Sequence, residues 1–133
     1  PVTLEQAEKN GVRNEIALFV IPLCATIHLS GSILKIVACA FAISFVLGMP
    51  VDLGTYAGFI FMLGITMVAA PGVPGGAIMA ALGLLSSMLG FDASMQAIMI
   101  ALYIAMDSFG TAANVTGDGA IALIVNTIKS KKE

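Results

Sequence analysis

Tryptophan is absent from this 133-residue chain, and charge is scarce. Asp, Glu, Lys and Arg make up 11% of the residues, against 59% that are hydrophobic, with a mean hydropathy of +1.01. Soluble domains carry about 25% charged and about 45–50% apolar residues. A fold with so few charges has no means of covering its surface with polar groups, which excludes an ordinary cytosolic domain and makes the bilayer the expected solvent. The missing Trp removes one common membrane-interface anchor and leaves Tyr56 as a candidate for that role. A formal net charge of −2 gives no footprint for nucleic acid. Only two cysteines and one histidine are present. Cys24 and Cys39 form no metal or redox motif and read as buried free thiols. His28 stands beside two serines with no acid nearby in sequence, so it makes no triad. There is no glycine phosphate loop after a strand, and enzymatic activity is not expected. The eight methionines follow apolar spacing and read as packing.

The charge that is present is segregated. Glu5, Glu8, Lys9, Arg13 and Glu15 sit at one end, and Lys129, Lys131, Lys132 and Glu133 at the other. Asp52 and Asp92 fall in the turn-like breaks "GMPVDLGT" and "GFDAS". Only Lys35, Asp107 and Asp118 lie inside apolar segments. There is no initiator Met and no signal-type leader, and we expect the chain to be a piece of a longer one. "TLEQAEKNG" reads as a helix with Thr3 as N-cap and Asn10-Gly11 as its stop.

Five apolar runs follow: Ile16–Ile27, Ile33–Leu47, Tyr56–Ala70, Ala77–Leu89 and Ala93–Ile128. A spanning helix needs about 20 apolar residues. The first four runs fall short, and the polar stretch "MDSFGTAANVTGD" interrupts the fifth. "HLSGS" breaks residues 16–47 in the middle, as expected of one broken span. "APGVPGG" carries two prolines and three glycines between two arms, which forbids a continuous helix. Two short arms around such a tip predict a hairpin that enters and leaves on one face of the membrane. Irregular backbone at membrane depth is tolerated only inside protein or beside water, and it points to a transporter's binding site. The fold class expected is therefore an all-α membrane protein with broken transmembrane helices and a re-entrant helical hairpin. Lys and Arg flank the first and last spans and are missing from the two Asp loops, so both ends are expected to be cytoplasmic.

On a helix, positions 107, 111, 114 and 118 lie within roughly 60° of one another and span about 16 Å. Asp107, Thr111, Asn114 and Asp118 thus form one polar stripe on an apolar helix. Buried carboxylates at membrane depth need partners. The open choices are a bound cation such as Na⁺, a bound ammonium group, protonation, or a pairing of Asp107 with Lys35 while Asp118 caps a helix. Lys35, one turn past the break, either pairs with a carboxylate such as Asp107 or faces a wet cavity or a scaffold. His28 either bonds a backbone carbonyl in the break or serves as a proton-coupling or substrate group.

"PLCATIHLSGS", "APGVPGG" and "DSFGTAANVTGD" resemble, in order and spacing, three signature stretches of the dicarboxylate/amino acid:cation symporters, the glutamate-transporter homologues. The resemblance covers nearly the whole chain. It implies a homotrimeric, multi-pass cell-membrane symporter with an elevator mechanism. Residues 1–133 would be the C-terminal part of its transport domain, without the remaining part of the transporter. Residues 1–13 would end a first re-entrant hairpin and 16–47 form the broken span. Residues 53–90 would form the second hairpin and 93–128 the final span.

By the same resemblance, Asp107 holds a substrate amino group, and Thr111, Asn114 and Ser32 line the substrate. Pro71, Gly72, Val73, Pro74, Gly75 and Gly76 form the hairpin tip that closes over it. Asp118 coordinates Na⁺, helped by backbone carbonyls near Cys24, His28 and Asn114. The chain departs from the family pattern at three places, one of them a hairpin tip one residue shorter than usual. "HLSGS" stands where Asn-Met-Asp-Gly-Thr is usual, which puts one Na⁺ site in question. Gly110 stands where members with acidic substrates carry arginine, and without a guanidinium a side-chain carboxylate has no bidentate partner. The resemblance thus implies symport of a small neutral amino acid with Na⁺. H⁺-coupled transport of an amino acid or dicarboxylate on the same fold is the alternative. A non-transporting or channel-like membrane module is the alternative of another class.

Overall fold

The computed structural model describes residues 1–70 and 73–131, and among them it is all helix. Seven helices follow in order: α1 (Val2–Lys9), α2 (Asn14–Ile27), α3 (Ser30–Val46), α4 (Leu53–Val68), α5 (Gly76–Leu89), α6 (Ala93–Ala105) and α7 (Asp107–Ser130).

The helix α1 starts at Val2, before the expected Thr3 cap. Pro1 precedes it, and its carbonyl accepts the Glu5 N–H at 3.0 Å. The predicted stop is real: Asn10 closes the helix and Gly11 turns with φ 90°, a conformation open to glycine at little steric cost. The break between α2 and α3 is narrower than "HLSGS". Only His28 and Leu29 leave the helix, and Ser30 to Ser32 already belong to the first turn of α3. The stretch Asn14–Val46 is, among the described residues, the one long and apolar enough by itself to cross a bilayer.

Asp52 opens α4 by accepting the Thr55 N–H at 2.7 Å and the Thr55 hydroxyl at 3.0 Å. These bonds hold its carboxyl below the ordinary 3.8, the backbone N–H bond being the larger cause. Asp92 caps α6 in the same way through Met95 N–H. The helices α4 and α5 pack on each other as an antiparallel pair of short arms, with 16 and 14 residues. At 1.5 Å per residue they are about 24 and about 21 Å long. Gly75, with φ 77°, leads into α5, while Pro71 and Gly72 of the predicted tip lie outside the described residues.

The predicted final span is not straight. Residues Ala93–Ala105 and Asp107–Ser130 form two helices bent by 61° at Met106. Met106 closes α6 and Asp107 opens α7, where a carboxylate meets the positive end of the helix dipole.

Two apolar clusters hold the helices together. The larger joins α3, α4, α5 and α6 through Ile36, Phe59, Leu63, Ile78, Leu85 and Met99, all fully buried. Each such side chain contributes about 1.5–3 kcal/mol relative to exposure to water. The smaller joins α1, α2 and α7 through Val12, Ala17, Val20 and Ala122. A clasp at one end supports it. The Arg13 N–H donates to Asn126 Oδ1 (3.2 Å), Asn126 Nδ2 donates to the Gly11 carbonyl (3.3 Å), and Lys129 pairs with Glu15 (2.7 Å).

The exterior is more apolar than that of a soluble protein. Phe19, Phe45, Phe61 and Phe109 are each about 70% exposed (70%, 73%, 69% and 72%), while Ser32, Lys35, Ser44 and Asp118 are buried. Tyr56 is not an interface anchor. It is buried in the α3–α4 contact, with its hydroxyl 2.9 Å from Ser44 Oγ. A phenol inside this core must find a polar partner, and Ser44 provides it. Cys24 and Cys39 are free and buried, as expected.

Candidate functional site

The α2–α3 break sits against α7. This approach needs small residues on both sides. A Cβ at Gly31 would overlap the Gly110 carbonyl oxygen and stand 2.7 Å from Ala113 Cβ. A Cβ at Gly117 would overlap the His28 ring. The glycines therefore let the first turn of α3 and the His28 ring reach the polar stripe of α7.

Four contacts then tie the stripe to α3 and the break. Asn114 Oδ1 accepts the Gly31 N–H at 2.8 Å, one of the donors that a helix start leaves without an intrahelical partner. Its Nδ2 donates to Ser32 Oγ at 3.2 Å, and the Tyr103 hydroxyl lies 3.4 Å from the same oxygen. One turn away, the buried Asp118 carboxylate accepts from His28 Nδ1 at 2.8 Å. Asp118 lies in the middle of α7 and caps nothing. His28 thus bonds a carboxylate through its ring, where a backbone carbonyl had been one expectation. Its own N–H closes α2 on the Cys24 carbonyl at 2.7 Å.

At the start of α7 the Lys35 ammonium donates to Asp107 Oδ1 at 3.1 Å and stands 3.5 Å above the centre of the Tyr103 ring. The lysine side chain is 4% exposed and that of Asp107 is 61% exposed. Of the two expectations for Lys35, the pairing with Asp107 is the one found. Gly110 is buried against this lysine, and a Cβ there would lie 3.1 Å from both Cε and Nζ of Lys35.

Asp107 opens into a cavity of about 440 Å³. Ser32, Thr111, Tyr103 and Asp107 line it on one side, and Val73, Pro74, Gly75 and Ala77 on the other. The predicted substrate residues therefore divide. Ser32, Val73, Pro74, Gly75, Asp107 and Thr111 share the cavity. Asn114 stands behind Ser32, Gly110 is filled by Lys35, and Gly76 starts α5 beside the cavity residues. Pro71 and Gly72 lie outside the described residues. Of the residues expected around Na⁺, Asp118 and His28 touch, Cys24 meets His28 through its carbonyl, and Asn114 lies one turn further along α7. Among the described residues no three His, Cys, Asp or Glu side chains gather as a metal cage.

Sequence reasoning missed Tyr103. A signal was available: it lies one helical turn before Asp107 in an apolar run, and a buried phenol needs a partner.

An apolar exterior, a pair of short antiparallel helices and a cavity walled in part by hydroxyls and one carboxylate describe an all-helical module. The sequence model of the sodium:dicarboxylate symporter family matches residues 1–128, and the chain belongs to that family. It is 33% identical to excitatory amino acid transporter 3 of Mus musculus over 134 aligned positions, covering 100% of this chain and 25% of the relative. It is 32% identical to a serine/threonine transporter of Acinetobacter baumannii over 122 positions, covering 89% of this chain and 30% of the relative. The chain thus spans between a quarter and a third of the length of these relatives. No solved structure matches it.

Proposed function

We propose that the full-length protein is a secondary active symporter that moves a small neutral amino acid together with Na⁺, as a homotrimer with an elevator mechanism. The present chain is then the C-terminal part of its transport domain, with the boundaries given above. The observation that carries this reading is the cavity in which Ser32, Asp107 and Thr111 face Val73, Pro74 and Gly75. Its walls offer hydroxyls and one carboxylate, and position 110 offers no side chain to a second acidic group. The name of the Acinetobacter baumannii relative, a serine/threonine transporter, supports the same substrate class. Asp118, with carbonyls near Cys24, His28 and Asn114, is the proposed Na⁺ site.

The arms α4 and α5, at about 24 and about 21 Å, are shorter than a hydrocarbon core of about 30 Å, which supports a re-entrant hairpin. The Lys129–Glu15 and Asn126–Gly11 contacts bring the two ends of the chain to one side, which supports placing both in the cytoplasm. A second reading, H⁺ coupling, draws on the His28–Asp118 contact, since an imidazole and a carboxylate 2.8 Å apart are a pair between which a proton can pass.

Uptake into liposomes tests both. The full-length protein is given labelled amino acids under an inward Na⁺ gradient, then under an inward H⁺ gradient without Na⁺. Uptake of a neutral amino acid driven by Na⁺ is expected. Uptake driven by H⁺ alone would replace the first reading with the second, and no uptake under either gradient would overturn both.

A further inference from the structure

In the structure the carboxylate in the cavity wall already has a cation. Asp107 offers the cavity its one negative charge, and Lys35 holds it from behind at 3.1 Å. The lysine is not a surface residue that happens to reach an acid. Its side chain is 4% exposed, its ammonium lies on the Tyr103 ring, and the space it fills is the space a side chain at position 110 would need. A long side chain buried on three sides stays where it is, so the pair is a fixture of the site.

The charge arithmetic has a consequence for ligands. A lone buried carboxylate attracts an ammonium group and repels an anion. A carboxylate paired within 4 Å to a resident ammonium presents nearly no net charge to the cavity. The remaining polar side chains, the hydroxyls of Thr26, Ser32, Thr111 and Tyr103, donate and accept without regard to sign. Such a wall has no reason to demand an amino group and no reason to reject a carboxylate.

We infer that Lys35 is a specificity-determining residue, which keeps Asp107 neutralised and so admits small hydroxy acids, solutes with a carboxylate and a hydroxyl but no amino group. This rests on reading the cavity as the solute site. Lys35 acts through Asp107 and does not line the cavity itself, so it is a positioning residue.

The experiment measures binding of labelled serine and labelled glycerate to the full-length protein in detergent. The two solutes differ by an amino group in place of a hydroxyl. Wild-type protein is expected to bind both. Lys35→Met bares the Asp107 charge, so the ratio of the two Kd values shifts toward serine by about tenfold or more. The double variant Lys35→Met/Asp107→Asn removes both charges and is expected to regain glycerate binding, a recovery that mere structural damage would not give. If Lys35→Met does not fold, the double variant decides alone: retained glycerate binding supports the inference and lost binding overturns it. An unchanged ratio in Lys35→Met, or wild-type protein that binds serine but not glycerate, overturns the inference and leaves the cavity as the solute site. Failure of wild-type protein to bind either probe overturns both.

Discussion

The substitution Gly31→Ala adds one methyl group at the tightest crossing in the structure. The new carbon would overlap the Gly110 carbonyl oxygen, meet Ala113 Cβ at 2.7 Å and Asn114 Oδ1 at 3.1 Å. Carbon atoms rest at about 3.5–4.0 Å, so α3 and α7 must part by roughly 1 Å. All three obstacles are on α7, and two of them, the Gly110 backbone oxygen and the Ala113 Cβ, have no rotamer to move to, so a side-chain rotation gives no relief. Overpacking of this kind costs about 1–3 kcal/mol. Parting the helices also weakens the Gly31 N–H bond to Asn114, and a buried donor left without a partner costs about 1–3 kcal/mol. A net loss of about 2–4 kcal/mol follows. The matched control is Gly83→Ala, where a Cβ meets nothing within 4 Å on an exposed helix position. There alanine stabilises by about 0.5–1 kcal/mol through helix propensity. Thermal denaturation of the full-length protein in detergent is expected to move the two variants in opposite directions from wild type. Adding Ala113→Gly to Gly31→Ala removes one obstacle and leaves the Gly110 oxygen, so only part of the loss returns. If Gly31→Ala matches Gly83→Ala in stability, the crossing is not as close as described and the reasoning fails.

Two further outcomes are expected. Asp107→Asn strands the buried Lys35 ammonium and lowers stability by about 3 kcal/mol, and Lys35→Met in the same chain restores most of it; the same thermal assay reads both, and a lone Asp107→Asn as stable as wild type would contradict the pairing. The carboxyl of Asp52 is held below its ordinary 3.8 by the Thr55 N–H, so its support for the start of α4 is full above that value and is lost as pH falls through the lower, folded value. The protection factors of the Thr55 and Tyr56 amides should therefore fall in acid, and equal protection factors well above and well below pH 3.8 would refute the cap.

Much of this arrangement was legible from spacing. The stripe of Asp107, Thr111, Asn114 and Asp118 needed only the helical period, and the breaks needed only Gly, Pro and the Asp caps. The resemblance supplied the family. The 61° bend at Met106 was not legible. Neither glycine nor proline stands there, and "YIAMDSF" reads as unbroken helix by propensity. At this turn Asp107 meets Lys35, a residue 72 positions away in the chain. The pairing of His28 with Asp118 was missed for a related reason. Its ring reaches the carboxylate only because Gly117 has no side chain, and sequence alone does not show which glycine faces which ring. Tyr56 misled because an aromatic with a hydroxyl suits an interface and a buried hydroxyl pair equally well, and Ser44 lies far enough away in sequence to go unnoticed as its partner.

The clasp between Gly11, Arg13 and Asn126 also fixes an order of assembly. Its contacts join residues 113 and 115 positions apart, and the stripe contacts of Asn114, Asp107 and Asp118 join α7 to residues 72 to 90 positions earlier. During synthesis α1, α2 and α3 emerge with their polar break uncovered and wait for the whole α4–α6 segment before α7 arrives. Closing so long a loop is entropically costly and slow. Until then Lys35 and the His28 ring have no carboxylate from α7. Among the described helices, α7 packs on α1, α2 and α3 and so bridges the smaller apolar cluster to the larger.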